Sequence, residues 1–140
     1  MSAEWLKQAE RDLDVARHVA SQGFHEWACY AAQQAAEKAV KAVRLALGTP
    51  IETIKKHEIG DVLGAVAQRH PRPHSVLRRA HLLDAHNQAS RYPGLRGQGP
   101  AAPCDTYQAT DSTDAIATAD AIVGFCRPLV TQIDTFWSGL

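Results

Sequence analysis

Apolar positions along this chain recur at intervals of three and four rather than two, so the pattern predicts helices throughout and no strand. Leu6, Ala9, Leu13, Ala16 and Ala20 form one stripe, which predicts a first helix from Ala3 to Ser21, capped by Ser2 and stopped at Gly23. A second helix from His25 to Leu47 carries Ala28, Ala31, Ala32, Ala35, Ala39, Ala42 and Ala46 along one side. So small a face lets a neighbouring helix approach to about 8 Å. Another stripe of the same helix holds Gln33, Glu37, Lys41 and Arg44, where Glu37 four residues before Lys41 is the favourable order for an exposed ion pair. Gly48 and Pro50 end it.

A shorter third helix is expected over residues 58–68, turning Ile59, Val62, Leu63 and Val66 inward. Pro71 and Pro73 separate it from a fourth over 74–89, and Pro93 forbids much extension. From about 91 to 110 the chain holds Gly94, Gly97 and Gly99 with Pro93, Pro100 and Pro103, which predicts a long surface loop. Asp111 or Ser112 is expected to cap a last helix with Ile116, Ala119, Ile122, Val123 and Cys126 as its stripe, kinked at Pro128 before Leu129, Ile133 and Phe136. The sum is an all-α fold, an antiparallel up-and-down bundle of four to five helices in a single domain over residues 1–140.

Composition acts mainly by exclusion. A length of 140 residues suits one domain of ~100–200 residues. With 15 basic against 15 acidic side chains, no polybasic argument for membrane or nucleic acid is available from net charge, and 45% apolar with 21% charged residues describes a globule, not a disordered chain. Cys29, Cys104 and Cys126 form no CxxC and leave one thiol over in any pairing, which points to a reducing compartment. The opening Met-Ser-Ala-Glu-Trp has no apolar leader, and no apolar run nears ~18–20 residues, so a cytoplasmic protein without membrane association is expected. Charge is nonetheless uneven. Residues 51–100 hold eight Lys/Arg against four Asp/Glu, and residues 101–140 one Arg against five Asp. The basic band of Arg69, Arg72, Arg78, Arg79, Arg91 and Arg96 reads either as a phosphate site or as a solvated face balanced by the acidic last helix.

Seven histidines invite a metal reading that their spacing does not support. Prolines interrupt His70 and His74, and His81 and His86 diverge by about 140° on a helix, so neither metal nor cofactor is expected. There is no Gly-x-Ser-x-Gly elbow, and the glycines at 94, 97 and 99 make no phosphate cradle. Metal-free RNA cleavage needs an imidazole to move a proton and a fixed cation to hold the phosphate. An arginine followed by a histidine after four to six residues would supply both. Ten Arg and seven His predict about 1.5 such pairs by chance, and three occur: Arg11/His18, Arg69/His74 and Arg79/His86. Spacing alone therefore selects none of them.

A particular combination of residues resembles the HEPN family (higher eukaryotes and prokaryotes nucleotide-binding). It comprises Trp5, Ala9, Asp12-Leu13 and Ala16; Gly23-Phe24 and Trp27-Ala28; the run Gln33-Gln34-Ala35-Ala36-Glu37-Lys38-Ala39-Val40-Lys41-Ala42; His57-Glu58-Ile59 with Leu63; and Ser90-Arg91-Tyr92-Pro93. The resemblance spans about residues 3–130. It implies a helical bundle, a homodimer, a role near nucleotides or RNA, and a minimal nucleotidyltransferase as partner in toxin–antitoxin pairs. Many relatives are metal-independent endoribonucleases with Arg-x(4–6)-His, but the positions that would follow Arg91 at that spacing hold Arg96, Gly97 and Gln98. The resemblance thus favours a binding module, with a ribonuclease of non-standard site or a purely structural dimeric scaffold as alternatives. Its implied nucleotide- or RNA-binding residues are Arg91, Tyr92, Gln33, Glu37, Lys38 and Lys41. The catalytic candidates are Arg91, His86 and His81. Gln33, Glu37, Lys38 and Lys41 are expected on an exposed polar face, turned to a dimer cleft, a ligand phosphate or plain solvent. Trp5 and Trp27 are expected as core or dimer anchors, and His57 as a structural residue before the third helix.

Overall fold

The computed structural model describes residues 1–50, 59, 74–97 and 99–139, the side chains of 74–78 aside. Its helices are α1 (Ser2–Ser21), α2 (His25–Ala46), α3 (His74–Asp84), α4 (His86–Ala89), α5 (Pro103–Thr106) and α6 (Ala109–Ser138). No strand occurs among the described residues. The third predicted helix, with His57, Arg69 and Arg72, lies outside them, except that Ile59 is buried in the core.

Three long helices form the frame, and their cross-links fix their directions. Ser2 Oγ donates to Asp134 at 2.7 Å, Arg127 pairs with Glu10 at 2.6 Å and Arg17 with Asp120 at 2.8 Å, so α6 runs antiparallel to α1. His25 meets Ser112 at 2.9 Å and the Trp137 indole donates to the Ala46 carbonyl at 3.0 Å, so α6 runs alongside α2 in the same direction. A tight turn reverses the chain between α1 and α2, with Gly23 at φ +87°, a left-handed conformation that costs glycine little.

The alanine face of α2 is packed within the chain, a use that its spacing alone did not select. Ala28, Ala32, Ala35, Ala39 and Ala42 have no exposed surface, because α1 and α6 press on it from both sides. Leu6, Leu13, Ile122, Val123 and Leu129 close the core around it. The helix ends differ from expectation. Ser2 lies inside α1 and spends its hydroxyl on Asp134 rather than on a cap. The last helix starts at Ala109, because Gln108 caps it in a reciprocal capping box with Asp111, three residues before the nearer of the two expected caps. The loop expected over 91–110 contains the single turn α5, where Pro103 sits with its φ already set for a helix start. Phe136, placed by spacing on the buried stripe, is 62% exposed beyond the end of the core. α6 continues through Pro128 to Ser138. No helix among the described residues is long and apolar enough to cross a membrane.

Candidate functional site

The short helix α4 separates two polar constellations. On one side, Asn87 is buried and holds Arg91: the guanidinium donates from Nε to the Asn87 carbonyl at 2.8 Å and from Nη2 to its Oδ1 at 3.1 Å. The guanidinium also lies over the Tyr30 ring at 4.6 Å and near the Tyr92 ring at 5.1 Å. Tyr30 in turn meets Trp27 edge-on at 6.2 Å. Tyr92 and Trp27 are each about half exposed, so aromatic surface continues from the fixed cation to solvent.

Behind Arg91 the network runs into α2. Asn87 Nδ2 donates to Gln33 Oε1 at 3.3 Å, Gln33 Nε2 to Glu37 Oε2 at 3.0 Å, and Lys41 Nζ to Glu37 Oε1 at 2.7 Å. Gln34 adds a bond to Gln33 Oε1 at 2.7 Å. Lys41 also lies 5.7 Å from the centre of the partly buried Trp5 ring.

On the other side of α4 lies a cleft of about 470 Å³ between α3, α4, the Leu95–Arg96 loop and the first turns of α6. His86 Nδ1 meets the Tyr107 hydroxyl at 2.8 Å. Arg96 is stacked on the Tyr107 ring at 3.9 Å. Its two terminal nitrogens grip both oxygens of Asp111, at 3.1 and 3.3 Å, and Nη1 also reaches the Thr106 carbonyl at 3.1 Å. Arg79 donates to the Asp114 carbonyl at 3.2 Å and lies 3.7 Å from its carboxylate. Leu82 and Leu95, 67% and 53% exposed, stand at the rim.

Burial, then the Arg96 charge, pushes the His86 imidazole below its usual range, which favours its neutral form. Burial also pushes the Tyr107 phenol up to about 12. For Asp111 burial acts upward, but the Arg96 fork and the Gln108 amide outweigh it and hold the carboxyl low. Burial raises the Cys29 and Cys126 thiols to about 12. Neither is a nucleophile at neutral pH.

The HEPN domain model matches residues 2–129. The chain belongs to the HEPN family. Among solved structures, an archaeal HEPN homologue is 33% identical, with TM-score 0.74 over 93% of this chain and 98% of that one. A protein from Thermus thermophilus is 31% identical, with TM-score 0.80 over 91% and 97%. A HEPN domain protein from Thermotoga maritima is 29% identical, with TM-score 0.67 over 91% and 98%. No curated protein matches.

Within this HEPN chain, the residues singled out by sequence are brought together only in part. Arg91, Gln33, Glu37 and Lys41 belong to one hydrogen-bonded network, with Tyr92 stacked at its outer end. Lys38 stands apart, paired with Asp12 of α1. The exposed polar face expected on α2 is corrected: Gln33 is fully buried and Glu37 is 7% exposed. Their polar atoms tolerate burial because Gln34, Asn87 and Lys41 satisfy them. Of the catalytic candidates, His86 turns to Tyr107 in the cleft, on the far side of α4 from Arg91, and His81 is exposed. Arg79 and His86, a chance-level match by spacing, line the same cleft. Asn87, Tyr30, Tyr107 and Asp111 were not legible as site residues. Only Trp27 and Tyr30, an aromatic pair three apart on one helix, carried a usable signal. Arg78, Arg69 and Arg72 of the basic band fall outside the described side chains. Arg79 and Arg96 are matched by Asp114 and Asp111, as the balanced-face reading of the band expects. Among the described residues there is no cluster suited to a metal ion.

Proposed function

We propose that this HEPN chain is a nucleotide- or RNA-associated binding module that works as a homodimer with a minimal nucleotidyltransferase partner. The observation that carries this reading is Arg91: a guanidinium fixed by Asn87 and flanked by two tyrosine rings, one of them half exposed. Asn87 occupies Nε and Nη2, and Nη1 makes no hydrogen bond to a described residue, so donors remain for a phosphate. Tyr92 and Trp27 offer faces on which a base can stack, a contact worth ~1–3 kcal/mol per base. Fluorescence anisotropy with a labelled single-stranded RNA tests it. Arg91→Ala is expected to weaken binding about tenfold and to flatten its salt dependence by roughly one phosphate contact. Absence of saturable binding by the unsubstituted protein, or an unchanged affinity in the variant, sinks the reading. Recovery of a small nucleotidyltransferase with the tagged protein from its own host tests the partner.

A ribonuclease reading has one observation in its favour, the shared cleft of Arg79 and His86 with His86 neutral and able to accept a proton. It predicts RNA cleavage that survives EDTA and disappears in His86→Ala. Loss in Arg91→Ala alone would instead place the chemistry at the Arg91 rim. RNA left intact over hours rejects both versions.

A further inference from the structure

The α3–α6 cleft is more specific in its chemistry than a general anion site. Each cation among its described lining residues is already matched: Arg96 by a two-oxygen grip from Asp111, Arg79 by Asp114. Among the described residues that line it, the two arginines and two aspartates balance, and a phosphate would have to break a charge-assisted fork to enter. The same pairing gives Arg96 a fixed orientation. Tyr107 covers one guanidinium face and Asp111 and Thr106 hold its edge, while the group still lines the cleft. A guanidinium held flat in this way is a platform for a second ring.

Two further features narrow the occupant. Leu82 and Leu95 at the rim are exposed large apolar side chains, and Leu83, Ala89 and Ala115 continue the apolar wall inward. Against them stand two residues with hydrogen-bonding side chains, His86 and Thr118. A cleft of about 470 Å³ falls within the ~300–1,000 Å³ typical of small-molecule sites.

From these observations we propose that the cleft binds a flat, uncharged nitrogen heterocycle, stacked on Arg96 between Leu82 and Leu95 with its edge toward His86 and Thr118. A nucleobase fits that description, either in a free nucleoside or as an unstacked base of single-stranded RNA. The choice of a nucleobase over other heterocycles rests on the nucleotide-associated reading above; the chemistry of the cleft does not.

NMR titration of the intact protein with adenosine and with uridine tests the cleft directly, with ribose 5-phosphate as the sugar-phosphate control. Saturable shifts centred on Leu82, Leu95, Arg96 and Tyr107 are expected with at least one nucleoside and none there with the control. Leu82→Asp and Leu95→Asp, both at exposed positions, should weaken nucleoside binding about 5-fold or more with the unfolding midpoint unchanged. Arg96→Lys, which keeps the charge and loses the plane, should weaken it as well. A hexauridylate that shifts the same residues identifies RNA as the source of the base, whereas nucleoside binding without it identifies a free nucleoside. The proposal is overturned by the absence of saturable nucleoside shifts up to about 10 mM, by equal response to ribose 5-phosphate, or by nucleoside binding indifferent to both leucine variants. Failure of the Arg91 reading is distinct: it leaves RNA affinity unchanged in Arg91→Ala whatever the nucleoside result.

Discussion

Glu37 shows how far a single side chain depends on its neighbours. It is buried on α2, and Gln33 and Lys41 bond its two oxygens. Glu37→Ala strips a partner from a buried amide and a largely buried ammonium at once, and is expected to cost about 2–4 kcal/mol in urea unfolding. Glu37→Gln keeps the amide contact and should cost clearly less. A loss below about 0.5 kcal/mol for Glu37→Ala would show that the network adds nothing to stability. His86 provides a pH test at the same scale. Burial and Arg96 lower its folded-state pKa, so below the unfolded value of about 6.5 the unfolded chain binds the proton first. Its contribution is therefore complete above about pH 6.5 and is lost as pH falls through the folded value. Stability measured from pH 7.5 down to 5 should decline, and His86→Gln should flatten that slope.

At the scale of elements, the start of α6 joins the cleft to the frame. Asp111 accepts the Gln108 amide at 2.8 Å as part of the capping box and holds Arg96 from across the loop. Asp111→Ala removes both, with an expected loss of about 1–2 kcal/mol and release of Arg96 from its grip. Asp111→Asn retains an acceptor for the cap and should recover part of the stability but not the fork. Comparable unfolding midpoints for all three proteins would remove the coupling between helix start and cleft. The periodic pattern found α1, α2 and α6 because each has a long stripe, whereas α5 is one turn initiated by a proline and leaves no periodic trace. The break at Ala85 is equally invisible, since residues 74–89 read as one helix.

For the whole molecule, zero net charge conceals an arrangement. The excess of acid in the last forty residues meets arginines from elsewhere in the chain: Asp120 takes Arg17, Asp114 takes Arg79 and Asp111 takes Arg96. Surface pairs of this kind contribute little to stability individually; the last two balance the charges among the described lining of the cleft. Arg91 takes no carboxylate partner among the described residues and remains the more available cation at the rim. The homodimer is tested at this scale by light scattering, with a mass of twice 15.2 kDa expected at micromolar concentration. A monomer mass there would remove any shared site.

Sequence by itself determined the helical class, the alanine seam of α2, the turn at Gly23 and the family, because each rests on local spacing or on a contiguous run of residues. It also picked out Gln33, Glu37, Lys41, Arg91 and Tyr92 as a group, through resemblance, without showing that most of them touch. Only the tertiary structure decided that Gln33 and Glu37 are buried, since a polar side chain enters a core only when partners such as Asn87 arrive from another element. It alone decided that Arg96, Tyr107 and Asp111 close around one cleft, because their meeting depends on how a loop and a helix start are folded back together, which no spacing along the chain encodes.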